Sequence, residues 1–498
     1  MTTITLGFEV HQPYRVKEDF FWKQRMFRGV GEGFEGLFEH YFSNRNKEIF
    51  EKVARKCYYP TNQILLENID FYKNDSRKFK CAFSISGILL EQCERYDPDL
   101  LESFKQLLDS GCVEFLDQTY HHSLFSLYDD PALFIEDVKK HNEAMKDFFR
   151  CSPKVFENTE FLYNNRIASV VEEMGYKCIF TEGLERLTGG AHPNQVYRAK
   201  EGKLKVLLRN YKLTDDIGFR FSSQDWEGYP LTAEKYASWL AATPGDCINI
   251  FMDYETFGEH HWKETGIFDF LSFFPGEVLK WDHLDFATPS EVIKRYPVKG
   301  VVDAYEMGGT VSWADLERDT SCWLGNSMQW AAYTYHKQIR PRIVDADSQR
   351  IWGYLAASDH LYYMFMAGGG PGEVHNYFSP FEDPKNAFLN YLAVLFDFDS
   401  RIKSGIEAAS HPFVFSNKGG DVLAVAFGKR DFSEIIGTVD LDSLKFHLLR
   451  GDFEKWAETS LNDPALAKEI GMIRSKGLGK RGIRKRLREL FDKNRDKT

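Results

Sequence analysis

The chain has 498 residues, enough for two to four domains or one large barrel with attachments, and its 43% hydrophobic and 28% charged content is that of an ordinary globular protein. No run approaches the roughly 18 apolar residues that cross a bilayer, so neither a membrane-spanning nor a disordered protein is expected. A net charge of −11 argues against a general nucleic-acid binder, although between Arg474 and Lys497 eleven Lys/Arg face three Asp/Glu.

The 15% aromatic content suits a cleft with flat walls, but most of these rings must fill core. The eight cysteines, Cys57, Cys81, Cys93, Cys112, Cys151, Cys178, Cys247 and Cys322, form no Cys-x-x-Cys pair, which favours reduced thiols in a cytoplasmic protein. The start, Met1-Thr-Thr-Ile-Thr-Leu-Gly-Phe-Glu-Val10, lacks the basic and long apolar stretches of a signal peptide, so the protein is expected to stay inside the cell.

In chain order, β-rich runs fall at 4–10, 79–86, 113–116, 154–158, 178–181, 206–208 and 247–252, with a weak one near Phe286. Helical patterns separate them, as at 100–108, 131–149 and 167–174, so the chain reads βαβα with a parallel sheet closing into a barrel of seven or eight units. Beyond about residue 300 the alternation stops. Helices are expected over 326–338, 349–366 and 384–402, with a glycine-rich loop at 368–372 that lacks the Gly-Lys-Ser/Thr ending of a phosphate loop. From about residue 410 a small module follows, with strand-like runs at 413–415 and 421–427 and a basic helical tail over 483–491. The division expected is residues 1–305 as a catalytic barrel, 306–408 as a helical domain completing the active site, and 409–498 as a C-terminal module with a basic tail.

Polar residues follow the apolar part of most runs: His11 and Gln12, then Asp117, His121 and His122, then Glu157 and Glu160, then Glu182, then Asp253 and Glu255. Any one of them reads equally well as a loop polar group or helix cap. Together they match a βα barrel, whose active site gathers residues from the strand C-termini. Two facing carboxylates there would make a glycosidase, one attacking the anomeric carbon and the other protonating the leaving oxygen. Histidines offer a rival, since His11, Asp117 and His122 are candidate ligands for a metal-dependent hydrolase, while His260 and His261 are also available. Those histidines lack a clear ligand spacing, so no metal and no other cofactor is expected. No Gly-x-Ser-x-Gly elbow is present, which disfavours serine chemistry.

Five stretches carry a resemblance: His11-Gln12-Pro13; Gly111-Cys-Val-Glu114-Phe115 through His122-Ser123; Phe156-Glu-Asn-Thr-Glu160; Phe251-Met-Asp253-Tyr-Glu255-Thr-Phe-Gly258-Glu-His260; and Glu317-Arg-Asp319-Thr-Ser-Cys-Trp323-Leu-Gly-Asn326. In this order they resemble the five signature regions of glycoside hydrolase family 57, with wording similar to its α-amylase branch, over roughly residues 1–400. The resemblance implies a retaining α-glucan hydrolase on an incomplete (β/α)7 barrel followed by a helical domain and a small C-terminal module. It also implies Glu160 as nucleophile and Asp253 as general acid/base, with the two carboxyl groups roughly 5–5.5 Å apart. His11, Glu114, His122, Glu255, His260, Asp319 and Trp323 would then bind substrate, Trp323 by offering a ring face. The segment 442–456 resembles a small domain found beside some family members.

The reading is an α-amylase cleaving α-1,4-glucosidic bonds in starch, glycogen or maltodextrins by double displacement. A 4-α-glucanotransferase or other α-glucan transferase on the same site is one alternative, and a metal-dependent polysaccharide deacetylase-like hydrolase is another. The expected partner is an α-glucan, with neither nucleic acid nor membrane, and the sequence does not set the oligomeric state.

Overall fold

The computed structural model describes residues 1–31, 33–366, 379–404 and 408–495; the glycine cluster at 368–372 lies outside them. Ten strands form one mostly parallel sheet: β1 (Thr2–Val10), β2 (Cys81–Ile85), β3 (Val113–Leu116), β4 (Val155–Phe156), β5 (Cys178–Glu182), β6 (Val196–Ala199), β7 (Lys205–Arg209), β8 (Cys247–Asp253), β9 (Leu284–Phe286) and β10 (Val298–Val302). Seven of them, β1, β2, β3, β4, β5, β7 and β8, pair in parallel around a closed cycle. Two seams of the cycle are thin, a single bridge from Asp117 to Phe156 and a single pairing of Arg209 with Asn249. Below the second seam β6 runs antiparallel to the start of β7 and carries β10 on its far side. This is the incomplete (β/α)7 barrel that the resemblance implies, within the seven or eight units that the alternating runs predict.

Side-chain alternation explains why these runs are strands and where the core lies. On β1, Ile4, Leu6, Phe8 and Val10 join the core beneath the surrounding helices, together with Phe83, Ile85, Ile250 and Met252. The intervening residues Thr3, Thr5, Gly7 and Glu9 take the opposite face. Ala82, Leu116, Val155, Phe180, Leu207 and Phe251 form a second, smaller apolar cluster. A side chain at Gly7 would begin 2.2 Å from the Phe251 ring, so the glycine makes room for that phenylalanine. The apolar cluster therefore plugs the barrel, and the inward positions one layer further along the strands are polar: Glu9, Ser84, Glu157, Glu182, Arg209 and Asp253. Each large apolar side chain buried in these clusters contributes about 1.5–3 kcal/mol, and this burial is what keeps the polar layer in place.

The chain divides into two compact units, each assembled from three stretches. The first comprises the described residues of Met1–Tyr14, Asn44–Ser327 and Ala356–Phe378, and the second those of Arg15–Ser43, Met328–Leu355 and Ser379–Thr498. In the second unit the buried Asp397, on the helix Pro384–Ser404, accepts from the Phe27 amide at 2.8 Å, Tyr41 Oη at 2.9 Å and Arg401 Nε at 2.7 Å. Those bonds tie the excursion 15–43 into a unit far along the sequence. An antiparallel pair, β11 (Ala408–Ser416) and β12 (Val422–Gly428), then packs Phe413 and Phe415 against Phe432, Phe453 and Trp456 from the helices that follow.

The helix expected over 349–366 is interrupted. The observed helix ends at Tyr354 and a short turn, Asp359–Tyr362, follows. Between them Ala357 bridges Ser123 and the Ser358 amide donates to the His122 carbonyl at 2.9 Å, so pairing with the loop after β3 replaces the helical bonds. All eight cysteines are free and all but Cys151 are buried; among the described residues no helix is long and apolar enough to cross a membrane.

Candidate active site

Glu160 sits in a turn directly after β4, with φ +60°, a left-handed conformation that non-glycine residues rarely adopt. Holding such a residue costs of order 1–3 kcal/mol and needs surrounding bonds to sustain it. Here the Phe161 amide donates to the Asn158 carbonyl at 2.7 Å, and the Glu160 carbonyl accepts from Ser312 Oγ at 2.8 Å. The strained turn aims the carboxylate at two donors. Trp313 Nε1 donates to Oε2 at 2.9 Å and Ser358 Oγ to Oε1 at 2.8 Å. The Trp313 ring is fixed by stacking on Phe161 at 4.7 Å.

Asp253 ends β8 and is in register with Glu9 on β1. Burial, and next to it the charge of Glu160, push its carboxyl up to about 7, against the pull of Arg209. The structure therefore brings the two expected carboxylates into mutual electrostatic reach. Three more acids share that neighbourhood. Glu9 and Glu157 are buried and held well above the usual carboxylate range, by burial first, although Ser84 Oγ donates to Glu157 at 3.0 Å. Glu255 accepts from Tyr58 Oη and is raised to about 8 by burial and by Asp253.

His11 and His122 form one edge of this cluster, their rings stacked at 3.9 Å. His11 bonds Ser86 Oγ at 2.7 Å through Nδ1 and Asp359 at 2.9 Å through Nε2; burial and then His122 lower it to about 4. His122, also left-handed at φ +51°, places Nε2 3.5 Å from Glu160 and Nδ1 3.3 Å from Glu9, the latter outside hydrogen-bond geometry. His260 lies in the loop after β8, where its amide donates to the Glu255 carbonyl at 2.9 Å, and its ring is lowered to about 3 by burial and then by His261.

Three expected substrate-binding residues are employed elsewhere. Glu114 turns to the helix Pro289–Arg295, accepting from the Ser290 amide at 2.8 Å and from its hydroxyl. A carboxylate at a helix N-terminus is a capping arrangement, which accounts for Glu114 without a ligand. Asp319 accepts from the Ser321 amide at 2.8 Å within its own turn. Trp323 is 0% exposed and packed on Tyr362, so it offers no open ring face for a sugar. Asp117 is likewise separated from His11 and His122: it bonds His141, Asn142 and Tyr176 in the core. Among the described residues no group of three or more His, Cys, Asp or Glu is arranged to hold a metal ion.

Comparison with known proteins decides the class. The model of glycosyl hydrolase family 57 matches residues 5–305. The chain belongs to glycosyl hydrolase family 57. A protein from Methanocaldococcus jannaschii named "Putative alpha-amylase" is 46% identical over 412 residues, covering 80% of this chain and 85% of its own. The barrel also resembles two solved family 57 branching enzymes. For the one from Thermococcus kodakaraensis the TM-score is 0.56 at 14% identity, and for the one from Pyrococcus horikoshii 0.58 at 13%, each comparison covering 82% of this chain and 90% of the other. A 4-alpha-glucanotransferase from Thermococcus litoralis gives 0.54 at 15% identity, covering 85% of this chain and 66% of its own. At such identities these likenesses concern the fold. As a family 57 member, the protein is a glycoside hydrolase with a carbohydrate substrate.

Proposed function

We propose that this enzyme cleaves α-1,4-glucosidic bonds in starch, glycogen or maltodextrins with retention, Glu160 acting as nucleophile and Asp253 as general acid/base. The observation that carries the reading is the unequal treatment of two neighbouring carboxyls. Glu160 is oriented by the Trp313 and Ser358 donors, whereas Asp253 is raised to about 7 by burial and by Glu160 itself. A carboxyl raised so that it keeps its proton, beside a second carboxylate held in place by donors, is what acid and nucleophile roles require. In the first step a Glu160 oxygen bonds to the anomeric carbon while Asp253 gives its proton to the departing sugar oxygen. Ionised Asp253 then takes a proton from water, which attacks the same carbon and releases Glu160.

The α-amylase name of the M. jannaschii relative supports the substrate class. The same glycosyl-enzyme can instead pass its sugar to another glucan, so hydrolysis and transfer differ only in the acceptor. The free, mostly buried cysteines favour work in a reducing cytoplasm. Incubation with maltoheptaose tests the proposal: shorter sugars are expected, longer products mean transfer, and failure to consume any maltodextrin rejects the α-glucan reading.

A further inference from the structure

The catalytic group lies beyond the C-terminal ends of the strands, and a second concave feature lies at the other end of the barrel. The end of the helix Tyr59–Tyr72 and the loop that leads into β2, together with the helix Ile267–Leu279 and Lys280 after it, line an open surface cavity of about 470 Å³ whose walls include Tyr72, Asp75, Arg77, Phe273, Glu277 and Lys280. That size falls in the range of small-molecule sites, roughly 300–1,000 Å³. We propose that this cavity is an accessory binding site for a neutral carbohydrate chain, an α-glucan on the functional reading above, which engages the polymer away from the reacting bond.

Its chemistry selects the ligand. Asp75 and Glu277 are balanced by Arg77 and Lys280, and Lys280 Nζ bonds both Glu277 oxygens at 2.7 Å, so the lining carries no net charge to recruit an ionic ligand. Asp75, Glu277 and Lys280 lie within electrostatic reach of the Tyr72 hydroxyl, whose acidity is weakened by burial and then by Asp75 and Glu277. Beside them Phe273 is 64% exposed, with Phe71 at 77% next to Tyr72 and Trp281 at 41% on the adjoining loop. Flat rings beside alternating acceptors and donors suit a sugar, whose C–H face stacks while its hydroxyls bond sideways.

The wall is built rather than incidental. Arg77 donates to the carbonyls of Leu279 at 2.8 Å, Trp281 at 2.7 Å and Leu284 at 2.8 Å, locking the loop that carries Lys280. Across from it, a side chain on Gly276 would begin 2.7 Å from Tyr72 Oη, so the glycine leaves the tyrosine its seat. A site fixed before binding loses little on ordering.

The test compares the intact wild-type protein with Phe273→Ala, a change at an exposed position, and with Gly276→Val, which drives Tyr72 from its seat. Mobility in native gels containing glycogen measures polymer binding, and release of sugar from maltoheptaose measures the catalytic centre. Both variants are expected to bind glycogen about fivefold more weakly, the scale of one lost ring contact, and to turn over maltoheptaose at the wild-type rate. Glycogen retardation that is unchanged in Phe273→Ala, or no retardation of the wild type at all, overturns the accessory site. If maltoheptaose is not consumed but Phe273→Ala still loses glycogen retardation, the catalytic reading fails and the accessory site stands.

Discussion

Two groups of carboxylates crown the same barrel under opposite electrostatic regimes. Glu182 and Asp215 close a square with Arg209 and Arg318, at 2.9 and 2.8 Å to the first arginine and 2.6 Å each to the second. Glu9, Glu157, Glu160, Asp253 and Glu255 have no Lys or Arg ion pair among the described residues. The square is charge-balanced and multiply bonded, and it holds strands β5 and β7 and their loops together. The five acids cannot all ionise so close together, and protons must be distributed among them. That uncancelled charge, rather than the mere presence of carboxylates at strand ends, marks where a proton can be stored and delivered.

The comparison is tested most severely at its unbalanced end. Glu160→Ala should lower turnover by at least roughly 10⁴-fold while leaving the fold intact, because no other group can form the glycosyl-enzyme; external azide should restore part of the rate on an activated substrate. Normal rates in this variant would remove Glu160 from the mechanism.

Asp253→Asn should lower turnover of natural glucans by roughly 10²–10⁴-fold and spare an activated aryl glycoside, whose leaving group needs little protonation. The acid form is the active one in the first step, so wild-type activity should fall as pH rises through about 7, the value to which burial and Glu160 bring this carboxyl. A pH–rate profile in which Asp253→Asn keeps that same alkaline limb would assign it to another group.

The balanced end is probed by stability rather than rate. Arg209→Met leaves Glu182 and Asp215 buried with one guanidinium between them, and should destabilise the protein by about 3–5 kcal/mol in a denaturant titration. An unaffected midpoint would mean that the square is dispensable.

The smallest effect is expected at the donor to the nucleophile. Trp313→Phe keeps the ring on Phe161 but removes the Nε1 bond to Glu160, and should lower kcat roughly tenfold with little change in KM. A shift confined to KM would make Trp313 a substrate contact instead.

Several of these residues are legible in the chain and several are not. His11, His122, Glu160, Asp253 and Glu255 stand just after apolar runs, and a strand's end faces the same cleft whichever helix follows it. Glu9 carries a readable signal in hindsight: it is the carboxylate on the inward set Thr3, Thr5, Gly7, Glu9 of an otherwise apolar strand. β6 and β10 are not among the runs read from the residues; in β10 four of the five residues are not buried, so it lacks an apolar run. Ser358 and Asp359 look like the middle of a helix until the pairing of Ala357 with Ser123 breaks it.

The sequence by itself determined the barrel, the order of its units and the family, because alternation, apolar runs and short motifs are local properties that each segment carries wherever it ends up. Only the tertiary structure decided which polar residues meet. Ser358 reaches Glu160 across 198 positions, Arg318 reaches Glu182 across 136, and Glu114 is drawn instead to Ser290, 176 positions away. It also buried Trp323 where a sugar-stacking ring is expected, and left one set of carboxylates without a Lys or Arg ion pair among the described residues while pairing the other. A side chain's charge state depends on its burial and on neighbours within a few ångströms, and the closed barrel supplies those neighbours from strands remote in sequence.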